Sequence, residues 1–245
     1  MAFRSLIRHA LNAYERNFKL ISFFSIPFLI AFPAAFLLPN FTSLGATFLR
    51  LTSVRMDLTP VDALFIGVVF LVSLLLFSFA LVAINVVIRA QRTLTRLTQE
   101  EIDRIETGTF KLFFIFLLAF AIVFLANIFL FESSPQNYRW MGSLFAFIVS
   151  LLVLFAPQAI VIDDLRLWHA LRMSVSIIYR KLPYFFYFLV LACALVLFND
   201  WIFISLQQAV SGARFIAIVT NALLIVPFLE VLKVQIYLSK YELLR

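Results

Sequence analysis

Six long apolar stretches run through the chain, separated by short segments that hold most of its charge. Each stretch has about 20 residues or more, which is the length a helix needs to cross the hydrocarbon core of a bilayer. Hydrophobic residues make up 64% of the 245-residue chain and charged residues 13%, and a water-soluble fold cannot hide that much apolar surface in one core. The six predicted spans are Phe18 to Leu38, Val61 to Ile88, Leu112 to Phe131, Met141 to Ile162, Pro183 to Phe203 and Arg214 to Leu238.

The backbone limits the form that these spans can take. An unpaired backbone N–H or C=O group in lipid is so costly that spans are either helices or strands of a closed barrel. Barrel strands alternate polar and apolar residues over about 10 positions, and the run from Phe113 to Leu118 shows no alternation. The sequence therefore predicts an all-α fold, a polytopic membrane helical bundle with six transmembrane helices, as a single integral membrane domain over residues 1–245.

Lysine and arginine residues fall mainly in alternate gaps between the spans. Of the 20 such residues, 16 lie in the N-terminal segment, the second and fourth loops and the C-terminal end. The other gaps hold only Arg50, Arg55, Arg139 and Arg214. Because basic residues are retained on the cytoplasmic side of a membrane, this asymmetry predicts a multi-pass protein of the cell (plasma) membrane with cytoplasmic N- and C-termini.

The formal net charge of +7 bears on the partners of the chain. A basic patch can bind nucleic acid, but these basic residues are dispersed along the predicted inner membrane edges, which argues against a nucleic-acid partner. Anionic headgroups of the cytoplasmic leaflet are the ordinary partner of such residues, at about 1 kcal/mol for each Lys or Arg. The predicted partners are therefore the lipid bilayer and its anionic headgroups, with other membrane proteins as further candidates.

Three amphipathic segments precede the first, third and fifth spans. They cover residues 3–18, 92–106 and 163–182, and apolar residues recur in them at spacings of three and four, as on one face of a helix. The first carries such a stripe from Phe3 to Phe18 and the last from Trp168 to Leu182, whereas the middle one is weaker. The pattern predicts three amphipathic helices that lie in the inner membrane interface.

The same segments indicate an internal repeat. The first and last copies share a His-Ala-Leu sequence, at His9-Ala10-Leu11 and His169-Ala170-Leu171. A unit of one interfacial helix and two spans would occur three times, over residues 1–90, 91–162 and 163–245. Because each unit crosses the membrane twice, the copies would be parallel repeats about an axis along the membrane normal. The alternative is that sequences at membrane edges look alike by chance.

One stretch carries a resemblance to a group of proteins. The run from Ala156 to Asp164 is followed by Ala170-Leu171 and Ser174, and the chain opens with Ala10-Leu11, Tyr14 and Asn17-Phe18. This pattern resembles uncharacterised archaeal and bacterial six-span membrane proteins, similar to the membrane domain fused to some glycerophosphodiester phosphodiesterases. Asp163-Asp164 stands where that group usually has an isolated Glu, and the 245 residues contain no phosphodiesterase domain. The resemblance implies a fold and no established activity.

Ionisable and amide side chains within the spans are the candidates for a functional site, because burying them in lipid is expensive. Asn85, Gln158, Glu230 and Lys233 all fall in the inner halves of the second, fourth and sixth spans. These are corresponding spans of the three units, so the four residues could converge on one inward-facing polar cavity. The alternative is structural: Glu230 and Lys233 can pair on one helix face, and amides commonly bridge neighbouring spans.

Four prolines lie inside the spans, at Pro27, Pro33, Pro157 and Pro227. Each removes a helical hydrogen bond and clashes with the turn before it, so a kink is predicted at each position. Transporters use broken helices around their substrates, but prolines also kink inert spans. Pro157 adjoins Gln158 and Pro227 precedes Glu230 by one turn, so freed carbonyl groups should lie at the depth of the polar side chains.

No catalytic set accompanies these residues. The only histidines, His9 and His169, have no Ser or Cys partner placed as a nucleophile, and Asp163, Asp164 and His169 form too weak a pattern to predict a metal site. We therefore predict a protein that is not an enzyme and holds neither a cofactor nor a metal. The favoured function is a non-catalytic membrane component or organiser of other membrane proteins, and the alternative is a small-solute or lipid transporter or channel.

Overall fold

The computed structural model describes residues 3–37, 41–43, 47–49, 60–93, 99–133, 138–207 and 212–239. Apart from a short antiparallel hairpin, every described element is helical, which confirms the predicted helical class. The hairpin joins β1 (Phe41–Ser43) to β2 (Thr47–Leu49), with Phe41 opposite Leu49. The helices are α1 (Phe3–Arg16), α2 (Phe18–Leu37), α3 (Pro60–Thr93), α4 (Gln99–Ser133), α5 (Tyr138–Val153), α6 (Ala156–Asp163), α7 (Leu167–Arg180), α8 (Leu182–Leu206), α9 (Ala213–Thr220), a π-helical turn (Asn221–Ile225) and α10 (Val226–Leu238).

Within the described residues, five helical segments are long and apolar enough to cross a membrane. They correspond to the second to sixth predicted spans, and the chain thus has the make-up of a multi-pass membrane protein. The helix α2 occupies the place of the first predicted span, and its apolar segment Phe18–Ala31 is shorter than the other five. The five segments are Leu64–Ala90, Gln99–Leu130, Trp140–Asp163, Leu182–Leu206 and Phe215–Leu238.

The three predicted amphipathic helices have different outcomes. The first and last exist as separate helices, α1 and α7. The prediction of a separate helix at residues 92–106 is wrong for the part that the structure describes, because residues 92 and 93 end α3 and Gln99 to Glu106 form the first two turns of α4, which continue into the span without a break. Residues 94–98 lie outside the described residues. Gly108 is the least helix-favouring residue there, and a single glycine costs a helix about 1 kcal/mol, which is too little to end it.

The most deeply buried part of the bundle lies where α3, α6 and α10 meet. Three runs are buried without interruption, Ala80–Ile88, Ala156–Val161 and Leu229–Leu238. The helices α2 and α4 pack along α3, α1 packs against α10, and α7 packs against α6. This places the amphipathic helices beside the ends of α6 and α10, and the polar residues predicted for a site fall within the buried runs.

The helix α8 lies at the periphery of the bundle. It buries only Phe185, Phe188 and Asn199 along its 25 residues. Asn199 donates a hydrogen bond from Nδ2 to the carbonyl of Ala217 over 3.1 Å, which ties α8 to α9. At the other end of α8, the ring of Tyr187 stacks on Phe3 of α1 with centroids 5.0 Å apart. The rest of the helix presents an almost wholly apolar outer surface.

Candidate functional site: a buried polar cluster between α3, α6 and α10

The carboxylate of Glu230 is the centre of a polar cluster inside the apolar core. The Nδ2 of Asn85 on α3 donates a hydrogen bond to Glu230 Oε1 over 2.8 Å, and the Nε2 of Gln158 on α6 donates to the same oxygen over 2.6 Å. The other carboxylate oxygen, Oε2, lies 2.5 Å from Nζ of Lys233 one turn along α10. All four predicted site residues are thus in direct contact, and three helices meet at one carboxylate.

The ammonium group of Lys233 has a second partner, which a helix break makes available. Its Nζ donates to the carbonyl of Leu154 over 3.3 Å. The first backbone hydrogen bond of α6 runs from Ala159 N to Phe155 O, so the Leu154 carbonyl lies just before that helix begins. Pro157, in the first turn of α6, has no N–H to continue the α5 pattern. The break between α5 and α6 therefore leaves the Leu154 carbonyl free to accept from Lys233, at the depth of the polar side chains.

The break between α5 and α6 is stabilised by a side chain from a third helix. The N–H of Phe155 donates to Oγ of Ser174 on α7 over 3.0 Å, and the N–H of Leu154 donates to the Leu151 carbonyl over 3.2 Å. Ser174 is fully buried. A buried backbone N–H without a partner is costly, so the hydroxyl of Ser174 compensates for the interruption. Ser174 entered the sequence analysis only as part of the resemblance pattern, and no pattern in the residues pointed to this role.

The cluster has more acceptors than donors. Asn85 and Gln158 direct their amide nitrogens at Glu230, and Asn85 Nδ2 also donates to the Leu81 carbonyl over 2.7 Å. Their amide oxygens, Asn85 Oδ1 and Gln158 Oε1, are buried and have no hydrogen-bond donor among the described residues. Such unsatisfied buried oxygens are uncommon in native proteins. Chemically, the cluster holds a paired and almost fully enclosed charge and can accept two further hydrogen bonds.

Burial of this ion pair has an energetic consequence. The exposed fractions are 2% for Glu230 and 5% for Lys233. Removing two charges from water costs several kcal/mol for each ion, and attraction compensates for the loss only when geometry is good and further hydrogen bonds are made. Glu230 receives two such bonds and Lys233 makes one, so the pair is held by compensating contacts on all sides.

A second set of polar contacts follows α10 away from the cluster. The hydroxyl of Tyr237 donates to Oδ2 of Asp163 over 2.6 Å, and Tyr237 is fully buried. The neighbouring Asp164 instead accepts from Nζ of Lys111 on α4 over 3.0 Å. The two aspartates therefore point to different partners. Within the described residues, no three His, Cys, Asp or Glu side chains lie close enough together to hold a metal ion.

The π-helical turn before α10 contacts the amphipathic helix α1. The hydroxyl of Tyr14 donates to the carbonyl of Leu223 over 3.2 Å, and its ring lies edge-on to Phe228 at a centroid distance of 6.0 Å. Burial raises the pKa of Tyr14 to about 12. π-helical turns occur frequently at functional sites, and this one directly precedes Pro227, in the first turn of α10. The sequence placed Tyr14 on the apolar face of α1 but did not predict its partner.

The remaining candidates lie apart from the cluster. The backbone of α2 runs without interruption through Pro27 and Pro33, whereas Pro157 and Pro227 each stand at the start of a helix after an irregular turn. Bends at the first two prolines stay predictions. A further amide within a predicted span, that of Asn127 on α4, donates to the carbonyl of Val123 over 2.8 Å and packs against Gly142 of α5, so it belongs to the contact of these two helices and not to the cluster.

Comparisons with known proteins add nothing to this geometry. No family model, no curated protein and no solved structure matches the chain. The likeness to membrane domains of glycerophosphodiester phosphodiesterases therefore depends only on the residues quoted for it. Any function has to be argued from the polar cluster, the surfaces and the arrangement of the helices.

Proposed function

We propose that this chain is a six-span membrane protein that serves as a non-catalytic organiser of other membrane proteins. The observation that carries the proposal is the enclosure of Glu230, which is 2% exposed and receives its contacts from Asn85, Gln158 and Lys233. A group that carries a solute has to meet that solute from a water-filled path. Here the donors of Asn85, Gln158 and Lys233 are all directed at Glu230, which is the behaviour of a polar contact that fixes the arrangement of helices.

A threefold arrangement of parallel units is part of the proposal. Glu230 follows Gln158 by 72 residues and Asn85 by 145, so three polar side chains recur at nearly equal intervals and converge on one point. Equivalent residues of a threefold repeat meet in this way at its axis. In addition, α1 packs on α10 and α7 packs on α6, and Ala10 and Ala170 of the shared His-Ala-Leu sequences are both fully buried. The continuous α4 is the departure from this symmetry.

The proposed orientation places both termini and the amphipathic helices at the cytoplasmic face of the plasma membrane. In this arrangement α2 is the first of six crossings, and α1 and α7 lie in the inner interface. Support comes from their two-sided character: α7 buries Ala170, Ser174 and Ile177 against the bundle and exposes Trp168 and Tyr179 by 70% and 77%. Aromatic rings of this kind favour headgroup depth, with anionic lipids rather than nucleic acid as the charged partner.

The surface of α8 supports a role in organising other proteins. Its outward side chains include Phe186, Tyr187, Phe198 and Trp201, each more than half exposed. In the membrane this face meets either lipid or a neighbouring protein. Because α8 is held to the bundle by few buried residues, its face is the part of the chain most available for contact with another transmembrane helix. Short connections and the lack of a catalytic set agree with a protein that binds and does not catalyse.

A transporter or channel is the second candidate, and one observation favours it. The amide oxygens of Asn85 and Gln158 have no donor among the described residues, and together with Glu230 and the Leu154 carbonyl they form an oxygen-rich group. The break between α5 and α6 at Pro157 adjoins it, and a π-helical turn precedes Pro227. Such groups hold solutes or ions in transporters. In this alternative, the four polar residues line an inward-facing cavity.

A comparison of stability with flux separates the two candidates. The test variant is Glu230→Gln, and its matched control is Glu106→Gln, the same chemical change at an exposed position of α4. The organiser predicts that only Glu230→Gln lowers the unfolding temperature in detergent, because Lys233 is left as an unpaired buried charge. It also predicts that replacing the whole pair, Glu230→Leu with Lys233→Met, recovers much of the loss, and that wild-type proteoliposomes pass H⁺, Na⁺ and K⁺ no faster than protein-free liposomes.

The transporter makes the opposite prediction. Wild-type proteoliposomes would then pass one of these ions, and Glu230→Gln would abolish the flux while Glu106→Gln retains it. For the organiser itself, chemical cross-linking in native membranes followed by mass spectrometry should give links from α8 to a transmembrane helix of another protein. Links confined to copies of this chain would contradict the organiser.

A further inference from the structure

A cavity of about 220 Å³ lies between α3, α4 and the connection from α6 to α7, separate from the Glu230 cluster. Its wall contains three cationic side chains, Arg89, Arg104 and Lys111, and two carboxylates, Asp103 and Asp164. Arg89 is one residue from the end of its apolar segment, and Lys111 directly precedes the apolar run of α4. The cavity therefore lies at the boundary between the apolar part of the bundle and its polar end.

The cavity depends on a close approach of α4 to α3. Gly108 makes this approach possible, because a Cβ atom at that position would lie 2.9 Å from Cγ1 of Val82. Residues 104, 107, 108 and 111 are spaced by three and four, so they share one face of α4. Arg104 and Lys111 thus stand one turn before and one turn after the contact point, on the side that faces α3.

Positive charge is in excess within this cavity. Lys111 pairs with Asp164, whose side chain is 71% exposed, and a guanidinium nitrogen of Arg89 donates to the carbonyl of Val161. The hydrogen bond from Lys111 lowers the pKa of Asp164, and the charges of all three cations lower it further. Arg104 forms no ion pair within the part of the chain that the structure describes. The wall therefore carries three cations and two carboxylates, Asp103 accepts a hydrogen bond from Gln99, and Arg104 is left to pair with a further anion.

We propose that this cavity binds a phosphate group, presented by the headgroup of an anionic phospholipid. Arginine and lysine are the side chains that bind phosphate oxygens most strongly, and basic pockets between helices at the cytoplasmic side recognise anionic headgroups. Pockets that enclose whole small molecules have volumes of about 300–1,000 Å³. The cavity is smaller than these pockets and has the size for a headgroup phosphate. That the phosphate belongs to a lipid rests on the proposed membrane orientation and not on the organiser role. That the cavity binds a phosphate group depends on neither proposal, and the alternative ligand is free inorganic phosphate.

The experiment uses the full-length protein purified in an uncharged detergent. It is titrated with dioctanoyl phosphatidylglycerol, dioctanoyl phosphatidylcholine or inorganic phosphate, and the apparent Kd is obtained from the shift in unfolding temperature. The test variant is Arg104→Gln, which breaks no ion pair among the described residues, and Lys111→Gln is a second. The matched control is Arg172→Gln, which removes the same charge from an exposed position of α7 outside the cavity.

We expect phosphatidylglycerol to bind more tightly than phosphatidylcholine. Arg104→Gln should weaken phosphatidylglycerol binding by about fivefold, and Arg172→Gln should leave it unchanged. If inorganic phosphate produces the same shift with the same dependence on Arg104, the phosphate site is supported with a soluble source. Two results overturn the site: binding that does not change in Arg104→Gln and Lys111→Gln, or binding that Arg172→Gln weakens as much as Arg104→Gln does.

Discussion

Gln158 donates a hydrogen bond to Glu230 over 2.6 Å although the two residues are 72 positions apart in the chain. The bond joins α6 to α10 at the point where α3 also arrives through Asn85. Because the bond is made to a charged oxygen, it is stronger than one between neutral groups. A single carboxylate thus fixes the three helices in register. The polar residues that are far apart in the sequence therefore meet at the centre of the fold.

Removing the amide of Gln158 should therefore destabilise the bundle. Gln158→Met keeps the approximate volume but takes one donor from Glu230, and we expect a loss of about 1.5–3 kcal/mol in the free energy of unfolding. The measurement is reversible unfolding in mixed detergent. Gln99→Met, at an exposed position near the start of α4, is the matched control and should stay within about 0.5 kcal/mol of wild type. Equal effects of the two variants would show that the bond to Glu230 contributes nothing.

Much of the fold could be predicted from the sequence because lipid imposes strong rules on apolar length. The second to sixth spans coincide with helical segments of the structure for this reason. The separate helix at residues 92–106 was wrong because amphipathic spacing shows which face is apolar but not where a helix stops. Thr107 and Gly108 contain no signal strong enough to end α4. The β1–β2 hairpin was not predicted, since three-residue strands are too short to give a periodic pattern.

The hydroxyl of Ser174 should contribute more to the free energy of unfolding than the hydroxyl of an exposed serine. Ser174→Ala leaves the Phe155 N–H buried without its acceptor, and an unsatisfied buried donor costs about 1–3 kcal/mol. Ser205→Ala is the matched control, because Ser205 is exposed and bonds only to the Trp201 carbonyl of its own helix. The two variants are compared by their unfolding temperatures, with size-exclusion chromatography used to detect the protein that remains folded after heating. A lower unfolding temperature only in Ser174→Ala is the expected result, and an unchanged one would mean that the break between α5 and α6 is satisfied in another way.

The contacts of the candidate site were predictable only in part. Residue type and depth identified Asn85, Gln158, Glu230 and Lys233, because ionisable and amide groups are expensive in a span. Freed carbonyl groups near Pro157 were expected, but the Leu154 carbonyl was not identified, because it depends on where α6 begins. The partners Ser174 and Tyr237 were not found, since a single hydroxyl in an amphipathic or apolar segment has no pattern of its own. The excess of amide oxygens depends on which way each amide turns, and this is decided by three-dimensional packing.

The contact between α4 and α3 at Gly108 should tolerate no side chain unless space is made for it. Gly108→Ala places a methyl group 2.9 Å from Val82 Cγ1, and we expect a loss of about 1–3 kcal/mol from overpacking. Val82→Ala in the same chain should recover part of it, so the double variant should be more stable than the sum of the single changes indicates. The control is Gly67→Ala in α3, where a Cβ atom meets nothing within 4 Å. It should be neutral or stabilising by up to about 1 kcal/mol, and a loss there equal to that of Gly108→Ala would refute the packing argument.

Alkaline conditions should loosen α1 from α10 through Tyr14. Its pKa is raised from 10.0 to about 12 by burial, which means that the folded state favours the neutral phenol more than the unfolded state does. The stabilising contribution is complete below pH 10, declines as the unfolded phenol ionises first, and is lost as the pH rises through about 12. Tyr14→Phe removes both the hydrogen bond to Leu223 and this titration. We therefore expect the variant to be less stable than wild type at pH 8 but to lose less stability than wild type between pH 10 and pH 12.

The measurement is the unfolding temperature against pH, with Tyr179→Phe as the matched control because Tyr179 is 77% exposed. Parallel pH profiles for wild type and Tyr14→Phe would contradict the prediction, since they would show that the buried phenol is not the group that titrates.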